Sequence, residues 1–419
     1  MLRLTFVAAI GALALLTACT ASHALPGTTA ASCPAHAQKS LANMLQSATA
    51  VPQGASLAPH RATARELGLW PRRGPSARLC GDVGKGFARC QAWLRSDIRG
   101  AIAPNTPGGY APSDLQTAYG LTTASRNSGG GETVAVVDAY DDPNAATDLN
   151  AYRSHYGLSA CGTGCFAKQA FTSQSNGAWA GEESVDVDMV SAICPSCKIL
   201  LVEAASTSMA DLSVAETYAI AHADYVSNSW SGDEGTRTYD DDFKDDCGAI
   251  TAATGDKGHN TTAQWPAILP NVIGVGGTSL TSIAPRVETA WLRAGSGCST
   301  VYSKPGFQSG VNTGCSMRAA ADVSAVADPQ TGVAVYDTFH EGGWLVFGGT
   351  SVAAPIVASV FALTGNGGPD ALRNLYAHAA DLNDVTSGSN GGCGAPLCVA
   401  GNGWDGPTGL GTANGIGAF

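Results

Sequence analysis

Gly348-Gly349-Thr350-Ser351-Val352-Ala353-Ala354-Pro355 is the stretch on which the reading of this chain turns. An apolar strand, Trp344–Phe347, leads into it, and an apolar helix, Val352–Leu363, leads out. Small residues let the backbone turn sharply between the two and leave room for a substrate carbonyl. Ser351 then stands at the amino end of a helix, where free N–H groups and the dipole favour developing negative charge. Taken alone, this makes Ser351 either a helix cap with Pro355 in the first turn, or a nucleophile. Upstream, β-branched runs at Thr133–Asp138, Lys198–Glu203, Tyr225–Ser229, Ala249–Thr254 and Asn271–Val275 read as strands, with a helix at Asp211–His222. Buried runs joined by helical crossovers predict an α/β fold, a mostly parallel central sheet with helices on both faces.

A serine needs something to take its proton. The whole Gly-Gly-Thr-Ser-x-x-x-Pro string resembles the nucleophile signature of the subtilisin-like clan, which favours the nucleophile reading of Ser351. That clan supplies a His on a His-Gly-Thr segment and an Asp from the first strand. None of the eight histidines stands in such a segment. Asp138, ending the first strand of the main domain, fills the Asp position, but its base is missing.

Gly181-Glu182-Glu183-Ser184-Val185-Asp186-Val187-Asp188-Met189-Val190 offers another base. Val185, Met189 and Val190 recur at helical spacing, which predicts a buried helix running to Ile193. Glu182 and Asp186 are four apart and share one face; Glu183 and Asp186, three apart, form the competing pair. Two neighbouring carboxylates do not both ionise cheaply, so one keeps a proton while the other serves as base. Such a base works in acid, where an imidazole is already protonated. Acids at a helix start can also merely complement the dipole. A third acid, Asp256, follows a strand end in Thr254-Gly255-Asp256-Lys257-Gly258. It is either a turn former or, protonated, a hydrogen-bond donor to an oxyanion.

Ser351, the Glu-x-x-x-Asp helix and the Gly-Asp turn, in this order, make the chain resemble the sedolisin family of serine-carboxyl peptidases, kumamolisin-like members included. Gly181-Glu182-x-x-x-Asp186, followed by Cys194-Pro195 and Lys198-Ile199, sets the register that selects Glu182 over Glu183. The resemblance implies a subtilisin-like fold, an acidic optimum, Ser351 as nucleophile, Glu182 as general base and acid, Asp186 as its partner and Asp256 as oxyanion donor. One departure is Gly-Asp256-Lys257-Gly where the family has Gly-Asp-Ser-Gly; a lysine pointing inward would lower the pKa of Asp256. Asn383-Asp384-Val385 and Gly401-Asn-Gly403-Trp-Asp405-Gly resemble the two halves of the family's calcium loop. By that resemblance one structural Ca²⁺ is held by the side chains of Asp384 and Asp405 and the carbonyls of Val385, Gly401 and Gly403, a hard-oxygen set.

The remaining sequence bounds the setting. At 419 residues the chain accommodates one large domain with appendages. Its net charge of −11 argues against nucleic acid as a partner. Residues 1–24 read as a secretory signal, since Leu4–Leu16 is too short to span a bilayer. Leu16-Thr17-Ala18-Cys19 also resembles a lipobox, which would instead anchor Cys19 on the outer face of the membrane. Residues 25–110 read as a short propeptide or leader, with patchy helical periodicity at Ala37–Ala48 and Phe87–Arg95, and 111–419 as the peptidase domain. That leader is much shorter than the folded propeptide usual in the family. Thirteen cysteines suit an oxidising compartment. Sequence proximity pairs Cys80/Cys90, Cys161/Cys165, Cys194/Cys197, Cys393/Cys398 and, more loosely, Cys298/Cys315, leaving Cys33 and Cys247 unplaced. The expected protein is a secreted, monomeric endopeptidase acting on proteins or peptides. Two rival readings are a histidine-dependent subtilisin relative using Asp138 and a catalytically dead extracellular binding module.

Overall fold

The computed structural model describes residues 74–99, 101–103, 106–161, 164–235, 237–260, 263–339 and 342–419. The signal segment, Cys19, Cys33 and the Ala37–Ala48 periodicity lie outside them. The described chain enters through three short strands, β1 (Ser76–Arg78), β2 (Arg89–Cys90) and β3 (Trp93–Arg99). The α/β body follows as β4 (Thr133–Ala139), α1 (Ala145–His155), β5 (Phe166–Ala170), α2 (Gly177–Ile193), β6 (Lys198–Ala204), α3 (Met209–His222), β7 (Tyr225–Asn228), β8 (Trp230–Asp233), β9 (Ala249–Ala253), β10 (Ile273–Ile283), β11 (Arg286–Ala290), β12 (Val323–Val326), β13 (Val333–Asp337), β14 (Gly343–Gly348) and α4 (Thr350–Thr364).

β7 and β9 are buried along their whole length and β4 from Val134 onward, as strands covered on both faces must be. They form the centre of an eight-stranded sheet ordered β11-β10-β9-β7-β4-β6-β5, with β12 also on β10. Every pairing in it is parallel except β10 with β11. Strands β4, β6, β7, β9 and the start of β10, with helices α2, α3 and α4, are those read from the sequence; β5, β11, β12 and α1 had no such reading. Two helices on one face carry the chemistry. α4 is buried throughout, and α2 is buried from Trp179 onward. Apolar residues all round are expected of such positions; four acids on a helix this deep are not.

The strand-helix turn is as expected, with Gly349 at φ 102° capping α4. Pro355, however, stands one turn past Ser351 inside the helix. It cannot donate to the carbonyl of residue i−4, which is Ser351. That carbonyl is instead approached by the Ser229 hydroxyl at 3.1 Å.

The segment Phe87–Arg95 is not helical. β2 pairs antiparallel with β8, and β3 lies antiparallel between β1 and β14. Trp93 and Leu94 are buried. Their main-chain groups pair with β1 on one side and, on the other, with β14 far along the chain, a pairing that local periodicity cannot report. The five short-range disulfides are all present, and Cys247 is disulfide-bonded as well.

Fully buried Arg318 meets Asp322 through Nη1–Oδ1 at 2.8 Å and Nη2–Oδ2 at 2.5 Å. Asp322 Oδ2 also accepts from Gly274 N on β10, 2.8 Å away. Replacing Arg318 by Met leaves a buried carboxylate without its cation, which costs about 3–5 kcal/mol. Urea unfolding of Arg318→Met is expected to show that loss; an unchanged midpoint would contradict this role for the pair.

Candidate active site

Ser351 is fully buried in the first turn of α4, and its Oγ donates to the Ser229 carbonyl at 2.9 Å. Glu182 lies one helix away, and burial, then the charge of Asp138, hold its pKa well above the usual carboxylate range against the opposing pull of nearby Ser351. Glu182 Oε2 accepts from the main-chain N–H of Ala92 at 2.9 Å, and Oε1 has no hydrogen-bond partner among the described residues. Asp186 lies one turn along α2. Its Oδ1 is 2.6 Å from the Ser229 hydroxyl. Burial raises its pKa, and the charges of Asp138 and Glu182 raise it further.

Ser229, just past the end of β7, escaped the sequence reading because a serine in a strand carries no local signal. Its single proton cannot go to both Asp186 Oδ1 and the Ser351 carbonyl. A protonated Asp186 resolves this by leaving the Ser229 hydroxyl free to donate to Ser351. The gap left by Pro355 therefore connects the nucleophile's backbone to the second carboxyl.

Asp256 sits past β9 as expected, and it is fully buried. Thr350 holds its Oδ1 through both N–H, 2.9 Å, and hydroxyl, 2.8 Å. Oδ2 has no hydrogen-bond partner among the described residues and lies against Gly349. Burial pushes its pKa up to about 7 against the opposing pull of Thr350, Arg89 and Arg78. Lys257 does not point inward: its Nζ is 3.4 Å from Asp82 Oδ1. In acid, Asp256 is thus a neutral carboxyl with one oxygen free to donate beside the nucleophile.

The structure brings Ser351, Glu182, Asp186 and Asp256 together, and it separates Glu183 from them. Glu183 lies near Glu203: burial raises the pKa of both, and the charges of Asp138 and Glu203 raise Glu183 further. Glu203 pairs with Lys168 at 3.0 Å. Asp138 stands beside Glu203 in register on neighbouring strands, and neither of its oxygens has a hydrogen-bond partner among the described residues. No imidazole is held against it, which removes the geometric basis for a histidine-dependent site among those residues. Its pKa is raised by burial and then by Glu203. Asp138 belongs instead to one buried acid network with the dyad.

The C-terminal loops bring Asp384 and Asp405 together. Asp384 Oδ2 accepts from Gly403 N at 2.8 Å; Asp405 Oδ2 accepts from Gly401 N at 3.3 Å, and its Oδ1 from Thr408. Burial lifts Asp405 to about 7, and the charge of Asp384 adds to it. The carbonyls of Val385, Gly401 and Gly403 accept no hydrogen bond among the described residues. Two repelling carboxyls beside unused carbonyl oxygens fit a hard divalent cation.

Fold and site together define a subtilase. Residues 117–403 match the model of the Subtilase family. Kumamolisin from Bacillus sp. (strain MN-32) is 30% identical over 357 residues, covering 74% of this chain and 63% of kumamolisin. Sedolisin from Pseudomonas sp. (strain 101) is 26% identical over 366 residues, covering 74% of this chain and 61% of sedolisin. The chain therefore spans less than two thirds of the length of these curated relatives. A structure of Pseudomonas sedolisin, a serine-carboxyl proteinase complexed with two molecules of pseudo-iodotyrostatin, superposes with a TM-score of 0.63 at 24% identity, covering 74% of this chain and 96% of that one. The chain belongs to the subtilase family, in its sedolisin branch.

Carboxyls whose folded pKa is raised leave stability intact below the unfolded value near 4 and remove it as pH rises through the folded value. For Asp142 and Asp256 that value is about 7. The melting temperature of Ser351→Ala at fixed calcium is expected to be highest near pH 4 and to fall by at least several degrees by about pH 8, at roughly 2–4 °C per kcal/mol. A melting temperature that rises with pH would contradict the buried-acid network.

Proposed function

We propose that this protein is a secreted serine-carboxyl endopeptidase that hydrolyses peptide bonds of proteins in acid. The observation that carries the reading is the convergence of the buried Ser351, Glu182 and Asp256 around one turn. Ser351 Oγ attacks the substrate carbonyl while its proton passes to Glu182. Asp186 holds its own proton, so the dyad carries one negative charge before the transfer and none after it. Asp256 donates from Oδ2 to the forming oxyanion, and Thr350 fixes its other oxygen. Glu182 then returns the proton to the departing amine, and water repeats the sequence on the acyl-enzyme.

An endo mode is favoured because β8 and β14 each pair with an extended strand, β2 and β3, whose intervening residues Gln91 and Ala92 meet Ser229 and Glu182. Among the described residues no helix is long and apolar enough to cross a membrane. Export rests on the amino-terminal signal. Asp384, Asp405 and the carbonyls of Val385, Gly401 and Gly403 would hold one Ca²⁺, which supplies structural cross-linking of two loops and no step of the reaction.

Ser351→Ala and Glu182→Gln are each expected to lower kcat/KM for an acid-soluble peptide by roughly 10⁴-fold or more, with unchanged circular dichroism. Asp256→Asn keeps a neutral donor at every pH. Its kcat/KM is expected to lose the alkaline limb that wild type shows as Asp256 deprotonates near 7. Full activity in Glu182→Gln would overturn the reading.

Calcium at about a hundred times its dissociation constant adds about 2.7 kcal/mol to stability. Chelation is expected to lower the melting temperature of wild type and to leave Asp405→Asn unmoved. Equal melting temperatures for wild type with and without chelator would exclude the ion.

A further inference from the structure

Cys247 is joined to a partner that lies outside the described residues. It is disulfide-bonded, while the other described cysteines close five bridges among themselves. Two cysteines of the chain remain, Cys19 and Cys33. Either reading of the amino terminus removes Cys19, since cleavage after Ala24 discards it and lipidation occupies its sulfur. Cys33 is left. Cys247 stands just before β9, at the end of that strand opposite Asp256. Its backbone is held in place: Asp245 Oδ1 accepts from the N–H groups of Cys247 and Gly248, each at 2.8 Å, and Gly368 N–H donates to the Gly248 carbonyl at 2.6 Å. A cavity of about 260 Å³ opens beside it, with Ile250, Pro270, Phe307, Pro369 and Leu372 in its wall. The chain leading to Cys247, residues 240–246, holds five aspartates against Lys244, and Asp245 and Asp246 line the cavity. Residues 25–73 hold the opposite balance, with Lys39, Arg61, Arg65, Arg72 and Arg73 against Glu66 alone. Around Cys33 the sequence is small and uncharged, Ala30-Ala31-Ser32-Cys33-Pro34-Ala35.

We propose that Cys247 is bridged to Cys33, and that the apolar cavity with its acidic rim seats the residues around that bridge. Small side chains such as Ala31 and Pro34 suit a cavity of this size, and burying them there removes apolar surface from water. Lys39, six residues past Cys33, is within reach of the aspartates, because an extended chain of that length spans roughly 20 Å. Forming the bridge takes one hydrogen from each thiol and joins the two sulfurs. A disulfide-bearing oxidant of the export compartment accepts the two electrons and two protons and becomes a dithiol. The stretch from Cys33 to Gly74 spans roughly 130 Å when extended, which is ample to run from this end of the sheet to β1. The leader is then a covalent part of the protein. A break anywhere between Cys33 and Gly74 leaves its amino-terminal piece on the body until a thiol reduces the bridge.

The test takes the full chain exported into an oxidising medium, alkylates it with iodoacetamide in denaturant, and digests it with trypsin without reduction. Cuts after Lys244 and Lys257 release Asp245–Lys257, whose single cysteine is Cys247, and a cut after Lys39 ends the peptide that carries Cys33. Mass spectrometry is expected to find the two as one species, which a reductant splits. An alkylated Cys247, a bond that fragmentation places at Cys19, or two copies of Asp245–Lys257 joined to each other would overturn the bridge. The seat is read separately, from the rate at which trypsin cuts after Lys39 in the native, bridged protein at low salt. Asp241→Asn combined with Asp246→Asn should raise that rate about threefold or more, the size expected when two charge pairings at a surface are lost. A rate equal to that of the wild type overturns the seat and leaves the bridge standing.

Discussion

The structure depends on acids buried where few cations can meet them. α2 carries Glu182, Glu183, Asp186 and Asp188, all inaccessible to solvent, and the strand ends beside it add Asp138 and Glu203. Among them only Glu203 is offered a cation at close range, through Lys168. An ionised carboxylate in such surroundings is expensive, and several together are more so. The cheapest resolution is to keep protons, which turns the helix from an electrostatic liability into a store of neutral donors and one base. The same requirement explains why the chemistry belongs in acid. At neutral pH the network must either lose its protons or lose its packing.

Given that constraint, the turn around Ser351 is understandable residue by residue. Gly349 removes a side chain that would collide with the Gln91 carbonyl and with Asp256. Thr350 occupies one Asp256 oxygen twice over, leaving the other to face the cleft. Pro355 withholds an N–H and so exposes the Ser351 carbonyl to Ser229, which also meets Asp186. Catalytic groups on α2 and α4 are thereby tied through a hydroxyl on the sheet, with no flexible loop between them.

Much of this was legible beforehand. Strand positions followed from β-branched runs, and the depth of α2 from Val185, Met189 and Val190. The Glu182 register came from family resemblance, since spacing alone left Glu183 open; the difference is that Glu183 turns to Glu203, a contact between elements that no periodicity encodes. Ser229 and the alliance of Asp138 with the dyad were illegible for the same reason. So was the course of Phe87–Arg95, where local pattern suggested helix while the partners that make it a strand, Trp230–Ser231 and Phe347–Gly348, lie far along the chain.

The most direct measurement of the central claim is the infrared carbonyl band of protonated carboxyl groups, followed as a function of pH in folded Ser351→Ala. Buried, neutral carboxyls should keep that band well above the pH at which exposed carboxylates have lost theirs, with components that disappear in Asp186→Asn and Asp256→Asn. A band that vanishes with an ordinary carboxylate midpoint near 4 would show the acids ionised, and the account would not survive it.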